Sequence, residues 1–166
     1  MRDELIKKLQ ELDIIYQNPV NLKNAGMADF YVDIKKAYGD PGALNMMADE
    51  VWKRIDQSIT SIVAGGYGGL PLATTLSFKH KIHLTLVRDK PKEHGKNNWI
   101  DGYIPNEKDK VAIVDDVFTT GGSLKKMIEI VEPTGAEIVG CYVVVKRGDG
   151  DISCPLTHIL TSEELV

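Results

Sequence analysis

Cysteine is scarce in this chain: Cys141 and Cys154 are the only two in 166 residues, and they do not form a CxxC pair. A structural zinc site therefore has little support, and two unpaired thiols fit a reducing cytoplasm. Cys141 lies in an apolar run and reads as a small core residue. No stretch is apolar for long enough to span a membrane. The opening MRDELIKKLQELDII lacks the long apolar core of a signal peptide. An excess of basic residues is missing too. Lys and Arg number 20 against 24 Asp and Glu, and the net charge of -4 argues against a general nucleic-acid binder. An anionic small substrate stays open, because a local basic loop or a bound metal can reverse the field at one site. Two nucleotide-binding patterns are absent as well, GxxxxGK[ST] and a GxGxxG behind the first strand. There is no internal repeat and no low-complexity linker, so residues 1–166 are expected to form one domain.

What is present is a core-forming share of hydrophobic residues, 43%, with charges mixed in sign. Leu5, Leu9, Leu12 and Tyr16 recur at helical spacing and predict a helix over 3–16, ended by Asn18-Pro19. Residues 30–34 are β-prone. Asp40-Pro41 reads as an N-cap and first helical residue, opening a helix with Leu44, Met47, Val51 and Ile55 on one face and an end near Gln57. Strands are expected at 60–64, 82–87, 111–114, 138–145 and 156–160, with helices at 70–78 and 122–131. The glycine run 65–69 and the polar, charged stretch 89–102 read as loops. Strand–helix alternation with continuous apolar strands implies an α/β fold, a parallel sheet covered on both faces. Ligands of such sheets bind at the carboxyl ends of the strands, which singles out the loops 65–69, 89–102 and 115–123.

The strongest local signal is VAIVDDVFTTGGS, residues 111–123. An apolar strand ends in Asp115-Asp116, and a Thr119-Thr120-Gly121-Gly122-Ser123 turn opens the next helix. Backbone N–H groups and hydroxyls of that turn, with the positive end of the helix, suit a phosphate. Paired carboxylates suit ribose hydroxyls, directly or through a magnesium ion. Together they point to a ligand carrying both a sugar diol and a phosphate. The 88–96 stretch adds Arg88, Lys90, Lys92, His94 and Lys96, five potential cations in a net-acidic chain. A diphosphate leaving group would need such donors.

The 111–123 run resembles the phosphoribosyl pyrophosphate signature of type I phosphoribosyltransferases. Three further segments agree with it in the same order along residues 20–150. Residues 87–95, VRDKPKEHG, resemble the catalytic loop of the orotate branch, where Arg88, Lys92, His94 and Gly95 match and Asp89 replaces a usual lysine. Residues 64–73, AGGYGGLPLA, resemble its pyrophosphate loop, with Gly68 where that branch commonly has lysine. Residues 22–33 resemble its N-terminal hood, where Lys23, Tyr31 and Asp33 match and Asn24, Ala25 and Ala28 depart. Val145-Lys146-Arg147 stands for a usual Asp-Arg, with either Arg147 or Lys146 in the arginine's place.

The resemblance implies the type I phosphoribosyltransferase fold: a central, mainly parallel sheet flanked by helices, with a small hood from about 18–38. It implies a cytoplasmic enzyme using Mg²⁺ and phosphoribosyl pyrophosphate, with orotate as the favoured base and no nucleic-acid or membrane partner. It also implies a homodimer in which the catalytic loop reaches the partner's site. Lys92, His94, Asp115 and Asp116 are the expected catalytic residues, with the metal near both acids. Lys23, Tyr67, Gly68, Gly69, Arg88, Lys90, Thr119, Thr120, Gly121, Gly122, Ser123 and Arg147 are expected to bind substrate. The alternatives are a purine enzyme of the same family and a non-catalytic regulator that binds phosphoribosyl pyrophosphate.

Overall fold

The computed structural model describes residues 1–16, 30–95 and 97–166. Helix α1, Arg2–Glu11, buries Leu5 and Leu9. It stops earlier than the leucine spacing predicts, because Asp13 takes a left-handed backbone (φ 50°) and turns the chain into strand β1, Ile15–Tyr16. That strand pairs antiparallel with β2, Tyr31–Val32. Helix α2, Ile34–Ala37, follows at once. Asp33 caps it by accepting the Lys36 N–H at 3.3 Å, so Ile34 opens a helix rather than ending a strand.

Helix α3, Pro41–Trp52, starts as expected, with Asp40 accepting the Ala43 N–H at 2.8 Å. Ile55 still reaches the core from the turn beyond it. Strand β3, Ser61–Gly65, runs straight into helix α4, Gly66–His80. The glycine run expected as a loop is therefore the first turn of that helix. Strands β4, His83–Val87, and β5, Ile100–Gly102, form an antiparallel pair at one sheet edge. The expected 89–102 loop is shorter by the three residues of β5.

Strand β6, Lys110–Phe118, exceeds the four apolar residues that announce it and carries both acids inside it. Helix α5, Gly122–Val131, and strands β7, Glu137–Lys146, and β8, Leu156–Thr161, complete the chain before a terminal 3₁₀ turn at Ser162–Leu165. The six-stranded sheet has the order β5-β4-β3-β6-β7-β8 and is parallel except at β5.

Alternating residues of the central strands supply two cores, as a sheet with a period of two requires. Ile62, Ala64, Ala112, Val114 and Val144 pack with α1, α3 and α4. Val63, Val111, Ile113, Cys141 and Val143 pack with Leu124, Met127, Ile128 and Val131 of α5. Cys141 is a core residue as expected, and its Sγ lies 2.7 Å from that of Cys154. Among the described residues, no helix is long and apolar enough to cross a membrane.

Candidate active site

The site grows from a mismatch in strand length. β3 pairs with β6 only as far as Ile113, whereas β7 continues beside β6 through Phe118. Asp115 and Asp116 lie on this overhang, flanked by β7 on one side and the first turn of α4 on the other. Both are buried. The contact with α4 is tight. A Cβ on Gly68 would stand 2.4 Å from Asp116 Oδ1 and 2.8 Å from Asp115 Oδ1, and one on Gly69 would stand 2.6 Å from the Val114 carbonyl.

Every carboxylate oxygen of the pair accepts one hydrogen bond. Asp115 takes the Asp116 N–H (3.0 Å) and the Ser123 hydroxyl (2.7 Å). Asp116 takes the Val117 N–H (2.8 Å) and the Lys35 ammonium (2.8 Å). Burial, and then the neighbouring Asp116 charge, push the Asp115 carboxyl up to about 7. Burial pulls the Lys35 ammonium down, but its bond to Asp116 prevails and the group is raised. The Tyr38 hydroxyl, raised by burial and then by both acids, donates to the Gly68 carbonyl at 2.6 Å.

Three residues past β6 the chain turns through Gly121 (φ 85°) into α5, whose leading N–H groups have no helical acceptor. The segment after β7 braces this turn. The Arg147 N–H donates to the Phe118 carbonyl at 2.8 Å. Cβ atoms on Gly148 and Gly150 would each stand 2.3 Å from the carbonyl oxygens of Thr119 and Thr120. The Arg147 guanidinium lies 5.9 Å from the Tyr31 ring centre. Its Nε and one terminal nitrogen are buried without a hydrogen-bond partner among the described residues. A charge-bearing group so placed calls for an anionic acceptor.

The chain that builds this site matches known proteins along most of its length. The model of the phosphoribosyl transferase domain matches residues 40–153. The orotate phosphoribosyltransferase of Pyrococcus furiosus is 35% identical over 153 residues, which cover 90% of this chain and 84% of that one. The chain belongs to the phosphoribosyltransferase family. Solved orotate phosphoribosyltransferases from Mycobacterium tuberculosis H37Rv and from Aeropyrum pernix superpose with TM-scores of 0.83, both at 26% identity. They cover 99% and 97% of this chain, and are themselves covered to 98% and 95%. The type I phosphoribosyltransferase fold follows from these matches and from the sheet order described above.

Within this phosphoribosyltransferase the expected site residues fall into two groups. Asp115, Asp116, Gly68, Gly69 and Ser123 meet at the end of β6, with Thr119, Thr120, Gly121, Gly122 and Arg147 adjoining. Ser123 spends its hydroxyl on Asp115, so in this state its backbone N–H is the group open to a phosphate. Arg88, Lys90, Lys92 and His94 lie apart, on the exposed turn between β4 and β5. Arg88 and Lys92 both pair with Asp101 of β5, Arg88 at 2.8 Å. Arg88 Nε also donates to the Lys90 carbonyl at 3.1 Å. The turn is tied to α5 by Lys126, which donates to the Asp89 carbonyl at 2.9 Å. A cavity of about 620 Å³ separates Arg88, Lys90 and Asp101 from Gly66, Tyr67 and Leu70. Tyr67 is 85% exposed. Lys23, most of the expected hood and Lys96 lie outside the described residues.

Lys35, Tyr38 and Asp101 touch these groups without having been singled out from sequence. The signal for Lys35 was its place two residues after Asp33, where a four-residue helix leaves no periodicity to read. Magnesium fits the donor set at the β6 end, since two carboxylates are hard oxygen donors. Among the described residues no three His, Cys, Asp or Glu side chains converge. The fit is accordingly to an ion that shares its ligands with phosphate and water rather than to a closed protein cage.

Proposed function

We propose that this protein transfers phosphoribosyl from phosphoribosyl pyrophosphate to orotate, giving orotidine monophosphate and pyrophosphate, as a cytoplasmic enzyme of pyrimidine nucleotide biosynthesis. One observation carries the reading. A buried carboxylate pair suited to a ribose diol is hydrogen-bonded, through Ser123, to the first turn of a helix suited to a phosphate.

In this mechanism Asp115 and Asp116 hold the ribose hydroxyls. The N–H groups of the 119–123 turn and the Thr119 and Thr120 hydroxyls hold the 5-phosphate. Gly68 and Gly69 bring the first turn of α4 against the acids, so that its backbone borders the sugar and diphosphate. Mg²⁺, held near Asp115 and Asp116 through water or the ribose hydroxyls, would offset the charge of the diphosphate. Substitution at C1 develops positive charge on the ring and negative charge on the departing pyrophosphate. Arg88, Lys92 and His94 close over that leaving group, with Lys90 and Tyr67 lining the same cleft, and Lys92 neutralises or protonates it. Closure also excludes water that would hydrolyse the sugar. Arg147, whose Nε and one terminal nitrogen have no partner among the described residues, supports a base that carries a carboxylate, and Lys23 of the hood completes the ligand contacts. The same reading has a homodimer in which the loop serves the partner's site.

The test is pyrophosphate release from phosphoribosyl pyrophosphate with Mg²⁺, run against orotate, uracil, adenine, hypoxanthine, guanine and xanthine. Turnover with orotate alone is the expected result. Turnover with a purine moves the base assignment. Binding of the sugar substrate without turnover on any base makes the protein a regulator.

A further inference from the structure

We propose that Lys35 is a substrate-binding residue: its ammonium holds Asp116 in the free protein and passes to the diphosphate of phosphoribosyl pyrophosphate when that substrate binds. The inference rests on the phosphoribosyl transfer proposed above.

Two buried carboxylates at the end of β6 repel a diphosphate brought beside them, and a protein cation at their rim adds to Mg²⁺ in offsetting that repulsion. Position 68 faces that rim but cannot supply one, because even a Cβ there collides with both carboxylates. Arg88 and Lys92 are engaged with Asp101 on the β4–β5 turn. Among the described residues, Lys35 is the only cation bonded to the acidic pair, 2.8 Å from Asp116 Oδ2.

Its base is firmly placed. Ile34 and Ala37 bury the inner side of α2, Asp33 caps its start, and the Tyr38 hydroxyl ties its end to the Gly68 carbonyl at 2.6 Å. The tip of the side chain is open to solvent: Lys35 is 48% exposed, whereas Asp116 is 9% exposed. An ammonium has three donors, and one is used here. Lys35 can exchange one oxyanion for another with a small rotation of a flexible stem. Its neighbour Lys36 points elsewhere, donating to the Asp13 carbonyl at 2.8 Å.

Calorimetric titration of the full chain with phosphoribosyl pyrophosphate in Mg²⁺, and separately with ribose 5-phosphate, tests this. Ribose 5-phosphate keeps the ring and 5-phosphate but lacks the diphosphate. Lys35→Ala should weaken phosphoribosyl pyrophosphate about tenfold or more, the scale of a lost charged hydrogen bond. Ribose 5-phosphate affinity should hold, and Lys35→Arg should recover most of the loss. The KM for phosphoribosyl pyrophosphate should rise more than kcat falls. Lys36→Ala should change neither affinity. Unchanged binding of phosphoribosyl pyrophosphate by Lys35→Ala overturns the inference, as does an equal loss for both ligands, which would make Lys35 a structural prop. A wild-type protein that does not bind phosphoribosyl pyrophosphate overturns the underlying function and this inference with it.

Discussion

Buried carboxylates stand at both ends of strand β6, Asp109 just before it and the Asp115-Asp116 pair near its close, and the two ends behave in opposite ways. At its start Asp109 is buried and alone. It accepts the Thr60 hydroxyl at 2.7 Å, the Tyr103 hydroxyl at 2.9 Å and the Asn106 N–H at 2.9 Å. Burial raises its carboxyl, but these donors together outweigh burial and hold it below the usual carboxylate range. At the far end Asp115 and Asp116 are equally buried, the one bonded cation, Lys35, serves Asp116, and burial followed by the Asp116 charge drives Asp115 up to about 7. Burial of an acid therefore does not mark a site by itself. The mark is charge that the fold leaves uncompensated, which a ligand can then compensate.

Substitutions should separate the two ends. The largest effect is expected at the ligand end. Asp116→Asn or Asp115→Asn should lower kcat/KM about a thousandfold with little loss of thermal stability, the scale of a lost positioning and electrostatic contact. Steady-state kinetics beside a melting curve checks this. Lys92→Ala follows, lowering kcat about a hundredfold while binding of phosphoribosyl pyrophosphate holds within a fewfold, as a group acting on the leaving pyrophosphate would. Comparable kcat in that variant would remove Lys92 from the mechanism. Asp109→Ala should do the reverse of the Asp115 change. It should cost about 2 kcal/mol of stability by stranding buried donors, with activity per folded molecule retained. Urea unfolding measures the cost, and a loss of activity beyond the unfolded fraction would blur the distinction between the ends.

The smallest effect is a pH slope. Because Asp115 titrates near 7 in the folded chain and near 3.8 unfolded, the folded state binds the extra proton between those values. Stability of the free protein should fall as pH rises from about 4 to about 7. Asp109, held low, stabilises above its unfolded value and loses that contribution as pH falls below about 4. Melting temperatures across this range should show both limbs, and Asp115→Asn should flatten the upper one alone.

Much of this arrangement was legible beforehand because β-branched runs announce buried strands. Residues 111–114 and 138–145 sit where the apolar pattern put them, and Asp115-Asp116 stood out by adjacency. What escaped was short or paired at a distance. α2 has four residues and β5 three, too few for any period. The first turn of α4 is built from glycines that read as a loop, since a helix start depends on backbone and packing rather than propensity. The Arg88 and Lys92 pairings with Asp101 depend on β4 folding against β5, a contact no local pattern encodes. Asp109 carries no local signal either. Its partners Thr60 and Tyr103 come from separate parts of the chain.

The close approach at Gly68 also governs which sequence changes this site can accept, and in what order. A new side chain there requires Asp115 and Asp116 to move first, so its tolerance is conditional on strand β6. Two residues earlier a Cβ on Gly66 would meet nothing within 4 Å, and its φ of +70° is the only obstacle. Sequence drift and laboratory selection should thus find position 68 closed to single mutations, and open only along paths that have already repacked the neighbouring strand.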